Sequence, residues 1–243
     1  MPYETYIRHA SGDTAILFIH GILGSPMHFE RFIDAVSADY GIYNILLEGH
    51  GGSVRNFSKA SMEKWKKQVD EAATVLLSRY DKIFIVGHSM GTFFAMDTAV
   101  KYSKRVKGIL LLQSPLKIGV KPIAVKYSMQ VLFGQIKEDD EFMQEYKNAN
   151  SIDLNLRFWE YIGWIPRYLE LFAESRRSRQ TMAKIDVPCA VFQSAKDELV
   201  SMKSTHFVPN KPNIKLTVLK NSTHFIYEKS EYYEIIATFC KMI

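Results

Sequence analysis

Only two cysteines occur in the 243 residues, Cys189 and Cys240, and neither stands in a CxxC or Cys/His spacing, so no disulfide scaffold is expected. Cys189 sits in the apolar run Pro188-Cys189-Ala190-Val191-Phe192 and reads as a small buried hydrophobe. The seven histidines are dispersed, which gives metal ligation no support; neither a metal nor a cofactor is expected. No apolar run approaches the ~20 residues that a membrane-crossing helix needs. Residues 1–13 mix charged and polar groups and lack the apolar stretch of a secretory leader. The expectation is a cytoplasmic chain without stable membrane insertion, forming at most a weak homodimer. The net charge is +5, but the densest basic cluster, Arg176-Arg177-Ser178-Arg179, is too short for a nucleic-acid stripe. It reads as a solvated helix face. Internal repeats and low-complexity tracts are missing as well.

What is present is a large supply of core. Hydrophobic residues make up 47% of the chain, and they are grouped in short aliphatic runs that alternate with helical patterns. The strand candidates are Ala15–Ile19, Tyr43–Leu47, Ile83–Val86, Gly108–Leu112, Ala190–Gln193 and Lys215–Leu219. Near-continuous apolar runs of this length predict parallel strands covered by helices on both faces. Tyr3–Arg8 adds a candidate antiparallel edge strand, for about seven strands in all. Ser61–Tyr80 carries a 3.6-residue stripe through Met62, Trp65, Val69, Ala72, Ala73 and Leu76, with Ser61 as the N-cap. Met90–Tyr102 and Glu231–Met242 show the same pattern, the latter capped by Ser230. The fold class is therefore α/β, with a mostly parallel sheet.

The alternation breaks between Leu116 and Met182. No strand pattern appears there, while large aromatic and aliphatic groups recur at helical spacing. So much apolar surface must cover something. The reading is a core of residues 1–115 and 183–243 with a helical cap, 116–182, inserted in it.

Gly87-His88-Ser89-Met90-Gly91 follows one predicted strand directly and opens a predicted helix, the context in which G-x-S-x-G places a serine at a sharp turn. A serine hydroxyl needs a general base, itself oriented by an acid. In this arrangement the chain order is Ser, acid, His, with each group just past the carboxyl end of a strand. Asp197 and His224 meet both conditions. Glu198 is the adjacent alternative acid, whereas Asp81 and Asp186 precede their strands. The developing oxyanion needs two backbone donors. These are assigned to Met90, after the nucleophile, and to Ile22 in His20-Gly21-Ile22-Leu23-Gly24-Ser25-Pro26. His20 is read as holding that loop and His88 as a packing or hydrogen-bonding residue.

Together these motifs resemble the α/β-hydrolase superfamily over essentially the whole chain. The His20–Pro26 loop looks like its His-Gly oxyanion loop, and Glu48-Gly49-His50-Gly51-Gly52-Ser53 resembles its Gly-His-Gly-x-Ser segment. The chain is most similar to the small bacterial carboxylesterases and monoacylglycerol lipases. That resemblance implies cleavage of a small-molecule carboxylic ester through an acyl-serine intermediate, without a cofactor. Cap residues Trp159, Trp164 and Phe172 would then line an apolar pocket. Thioesterase, lactonase, amidase and C–C hydrolase chemistry use the same triad, and a weakly catalytic ligand-binding receptor on this fold is the alternative from outside enzymology.

Overall fold

The computed structural model describes residues 3–243, so the first two residues of the expected 1–115 segment lie outside it. Its seven strands are β1 (Tyr6–Arg8), β2 (Thr14–Ile19), β3 (Gly41–Ile45), β4 (Lys82–His88), β5 (Val106–Leu112), β6 (Cys189–Ser194) and β7 (Ile214–Leu219). They form one sheet in the order β1-β3-β2-β4-β5-β6-β7. Only β1 is antiparallel, pairing Tyr6 with Asn44 of β3.

The strands read as unbroken apolar runs because both faces of the sheet are buried. In β2, Ala15, Leu17 and Ile19 enter one core, and Ile16 and Phe18 the other. β4 divides in the same way, with Ile83 and Ile85 opposite Phe84 and Val86. Fully burying side chains of this size contributes about 1.5–3 kcal/mol each.

Helices cover each face. α1 (Glu30–Asp34) and α2 (Val54–Ser58) are short, and α3 (Met62–Leu77) is long. Ser61 caps α3 by accepting from the Lys64 N–H at 3.2 Å, and the stripe expected from the sequence is the buried one. α4 (Gly91–Lys101) follows β4. Between β5 and β6 come α5 (Pro122–Leu132), α6 (Glu141–Asn148), a 3-10 turn at Phe158–Trp164 and α7 (Ile165–Ala183). α8 (Lys229–Met242) ends the chain and sends Ile235 and Phe239 into the second core. No helix among the described residues is long and apolar enough to cross a membrane.

Three local expectations are corrected. The second predicted strand ends at Ile45 rather than Leu47, because Leu46 and Leu47 turn their N–H groups to Thr5 Oγ1 and His20 Nε2 instead of to a neighbouring strand. α8 is capped by Glu228, whose carboxylate accepts from the N–H groups of Ser230 and Glu231, rather than by Ser230. The Arg176–Arg179 cluster is not simply a solvated face. Arg177 binds Glu174 and Asp97, Arg179 donates to the Leu116 carbonyl, and Ser178 is buried. The Arg177–Asp97 pair fastens the C-terminal half of α7 to α4, and Arg179 ties it to the loop after β5.

Strand order places the site. The chain runs from β2 outward to β3, then returns to pair β4 on the other side of β2, with Ile19 opposite Gly87. Loops leaving the carboxyl ends of β2 and β4 therefore diverge around a crevice, where open α/β sheets bind ligands.

Candidate active site

Ser89 stands at the first residue past β4 with φ +51°. This left-handed conformation is costly for a residue with a Cβ. It persists because the turn is held on both sides: the Ser89 N–H donates to the Leu112 carbonyl at 2.8 Å, and its carbonyl accepts from Thr92 Oγ1 at 2.7 Å. Two glycines permit the close approach. A Cβ on Gly91 would lie 2.1 Å from the Ile19 carbonyl oxygen, and one on Gly21 would lie 2.7 Å from Ser89 Cβ. The loop after β2 thus touches the serine directly.

Asp197, past β6, and His224, past β7, are both about 1% exposed and joined by a 2.8 Å hydrogen bond from His224 Nδ1 to Asp197 Oδ2. The other oxygen of Asp197 accepts from the N–H groups of Leu199 and Val200, each at 2.8 Å, which fixes the carboxylate plane. His88 Nε2 lies 3.0 Å from the His224 carbonyl oxygen, so the residue beside Ser89 grips the histidine loop. Burial opposes a charge on His224, but attraction to Asp197, their hydrogen bond and the nearby Glu198 together raise its pKa above the ordinary 6.5. Among the described residues no hydrogen bond joins Ser89 Oγ to the imidazole. The proton on Nδ1 leaves Nε2 as the acceptor.

The N–H groups of Ile22 and Met90 have no hydrogen-bond partner among the described residues, the condition that the oxyanion assignment requires. The loop carrying Ile22 is held by His20, as the sequence suggested, and by His50 and Ser151, whose roles sequence reasoning missed. His50 Nε2 accepts from the Leu23 N–H at 3.1 Å, and Leu23 itself has φ +59°. Ser151 Oγ donates to the Gly24 carbonyl at 2.6 Å, and the Ser151 N–H to the Leu23 carbonyl at 2.7 Å. His20 holds the same loop, with Nδ1 2.8 Å from the Gly21 carbonyl oxygen and Nε2 accepting from the Leu47 N–H. Gln113, with φ +54°, clamps the end of β6 by accepting from the Ser194 N–H at 2.7 Å.

A cavity of about 310 Å³ opens above Ser89, lined by Ile22, Met129, Trp164, Leu171, Phe172 and Phe225 among others. Trp164 is anchored by its indole N–H on the Val54 carbonyl. Trp159 is 65% exposed and does not line the cavity. A 3-10 turn repeats every three residues, which puts Tyr161 and Trp164 together on the inner side and Trp159 outside. Among the described residues no group of three or more His, Cys, Asp or Glu side chains is placed to hold a metal ion.

Four histidines, the buried His20, His50 and His88 and the half-buried His28, are held neutral. Burial is the largest cause for each, lowering His28 to about 3, His50 to about 4, and His20 and His88 well below 6.5. A depressed histidine binds fewer protons in the native state, so its contribution is full above about 6.5 and is lost as pH falls toward the native value. His224 acts oppositely: its contribution is present below that pH and is lost as pH rises through its elevated native pKa. With four groups against one, urea midpoints are expected to fall steeply between about pH 6.5 and 4. A midpoint constant over that range would contradict the assignment of neutral histidines.

Residues 10–229 match the family described as serine aminopeptidase, S33. The thermostable monoacylglycerol lipase of Bacillus sp. (strain H-257) is 23% identical over 194 residues, spanning 78% of this chain and 73% of the lipase. A structure of the metagenome-derived lipolytic enzymes LipS and LipT superposes with TM-score 0.73 at 16% identity, covering 99% of this chain and 97% of the other. The monoacylglycerol lipase of Paleococcus ferrophilus gives 0.72 at 14% identity over the full length of both chains. At these identities the structural likeness establishes the fold.

Proposed function

Since the chain belongs to the serine aminopeptidase S33 family and is an α/β-hydrolase, we propose that it cleaves carboxylic esters with an apolar acyl or alcohol group. Ser89 is the nucleophile, His224 the general base and Asp197 its orienting acid. The observation that carries the substrate class is the cavity above Ser89: none of the residues lining it bears a charged side chain. Two of its phenols stay neutral as well, since burial pushes Tyr146 and Tyr168 up to about 12. A peptide amine would enter this space without a carboxylate to pair it, a costly burial. A neutral hydrocarbon group enters favourably. The names of the relatives, monoacylglycerol lipases and lipolytic enzymes, agree with an apolar acyl chain.

In the proposed reaction Ser89 Oγ attacks the ester carbonyl carbon while His224 Nε2 takes its proton. The carbonyl oxygen gains the negative charge between the N–H groups of Ile22 and Met90. The tetrahedral centre then collapses, and His224 delivers the proton to the departing alcohol. Water repeats the sequence on the acyl-serine, releasing the acid and restoring Ser89. Losing one oxyanion donor costs about 3–4 kcal/mol of barrier stabilisation. The segment between β5 and β6 supplies most of the cavity wall and is assigned the role of a cap.

A series of p-nitrophenyl esters tests the reading. Each buried methylene contributes about 0.8 kcal/mol, so kcat/KM should rise by up to about fourfold per carbon until the cavity is filled, then fall. Leu132→Trp, which fills part of that space, should move the optimum to shorter chains. Rates independent of chain length, or no turnover of any ester, would remove the basis for this substrate class.

A further inference from the structure

Asp197 is not the only carboxyl group against His224. Glu198, the next residue, is 2% exposed, and its Oε2 accepts from the His224 backbone N–H at 3.1 Å. Its Oε1 is buried and has no hydrogen-bond partner among the described residues. The Glu198 carbonyl accepts from the Lys121 N–H at 2.8 Å, so the residue is tied to both the histidine loop and the start of the segment that covers the site. A buried carboxyl with one oxygen unpaired works against folding. A glutamine here would hold the same N–H without carrying a charge. Folding therefore does not explain the acid, but a charge that forms next to it does.

We propose that Glu198 is a positioning residue for the hydrolysis: it holds the His224 main chain and, as a second carboxylate beside Asp197, stabilises the imidazolium formed when Ser89 gives up its proton. This rests on the ester-hydrolase reading above. The surroundings leave the pair as the dominant charges. His224 is faced by Asp197, Glu198 and His88, whose ring lies 5.0 Å from it, with the His28 ring tilted against that of His88 at 3.9 Å. Both of those rings are held neutral, chiefly by burial. Glu198 is faced by Asp197, His224 and the neutral phenol of Tyr146. Burial, the largest cause, raises the Glu198 carboxyl above its ordinary range, and attraction to a charged His224 works against that rise. The Glu198 carboxyl and the His224 imidazole therefore influence each other's charge directly.

The deciding variant is Glu198→Gln, which keeps volume and the acceptor for the His224 N–H but removes the charge. The acid limb of kcat/KM should move to lower pH by about half a pH unit or more, with kcat reduced about threefold or more and KM unchanged. Proton NMR of the His224 Nδ1–H resonance should show the ring titrating lower by the same amount. Glu198→Ala should be worse in both respects; if it fails to fold, the glutamine variant still decides. A Glu198→Gln enzyme with the wild-type pH profile and ring titration would overturn the proposal and leave Glu198 as a hydrogen-bond acceptor only. The NMR titration repeated in Ser89→Ala separates the two readings: it reports on Glu198 even if ester turnover proves independent of Ser89.

Discussion

Ser89→Ala is expected to lower kcat on a chromogenic ester by roughly five to six orders of magnitude while changing KM by less than about threefold. The side chain is one hydroxyl at the floor of the cavity, so its loss removes bond formation and very little binding surface. The residual rate, about 10³ over the uncatalysed reaction, should come from the Ile22 and Met90 donors and from binding. Stability supplies a second readout. Ser89 is held at φ +51°, a conformation that costs about 1–2 kcal/mol with a Cβ and almost nothing without one. Ser89→Gly should therefore be as inactive as Ser89→Ala yet unfold at a higher denaturant concentration. An alanine variant that retains turnover would show that another group attacks the ester.

Asp197→Asn is expected to lower kcat about 10⁴-fold with little loss of fold. The asparagine oxygen can keep both N–H groups of Leu199 and Val200, which leaves its amide NH₂ facing His224 Nδ1. Two donors cannot share that position, so the ring must carry its proton on Nε2, where it no longer accepts from Ser89. Asp197→Ala should differ in kind: it orphans the two backbone donors and is expected to cost about 1–3 kcal/mol for each. Kinetics and urea unfolding on both variants separate the tautomer effect from the structural one. Equal activity of Asp197→Asn and wild type would mean that Asp197 only braces its loop.

The parts of the fold legible in the sequence were those set by local pattern. Ala15–Ile19 and Ile83–Val86 are apolar throughout because both faces are buried, and the Ser61-capped stripe of α3 is a short-range signal. Ser89, Asp197 and His224 were legible for a related reason, since each lies just beyond a strand whose end is visible in the sequence. What supports them was not. Ser151 reaches the loop after β2 across 127 positions, His50 across 27, and Gln113 binds Ser194 across 81. Nothing periodic marks such contacts. The 3-10 geometry at Phe158–Trp164, which turns Trp159 outward, also gives no composition signal distinct from an α-helix. The end of β3 at Ile45 was hidden because Leu46 and Leu47 stay apolar while their N–H groups leave the sheet for Thr5 and His20.

The central claim is that Ser89 is the nucleophile, activated by His224 and Asp197. A fluorophosphonate probe followed by peptide mapping tests it without assuming any natural substrate. The account predicts stoichiometric phosphonylation confined to the peptide containing Ser89, absent in Ser89→Ala and greatly slowed in Asp197→Asn. Labelling at another residue, or none in folded wild-type protein, would contradict it.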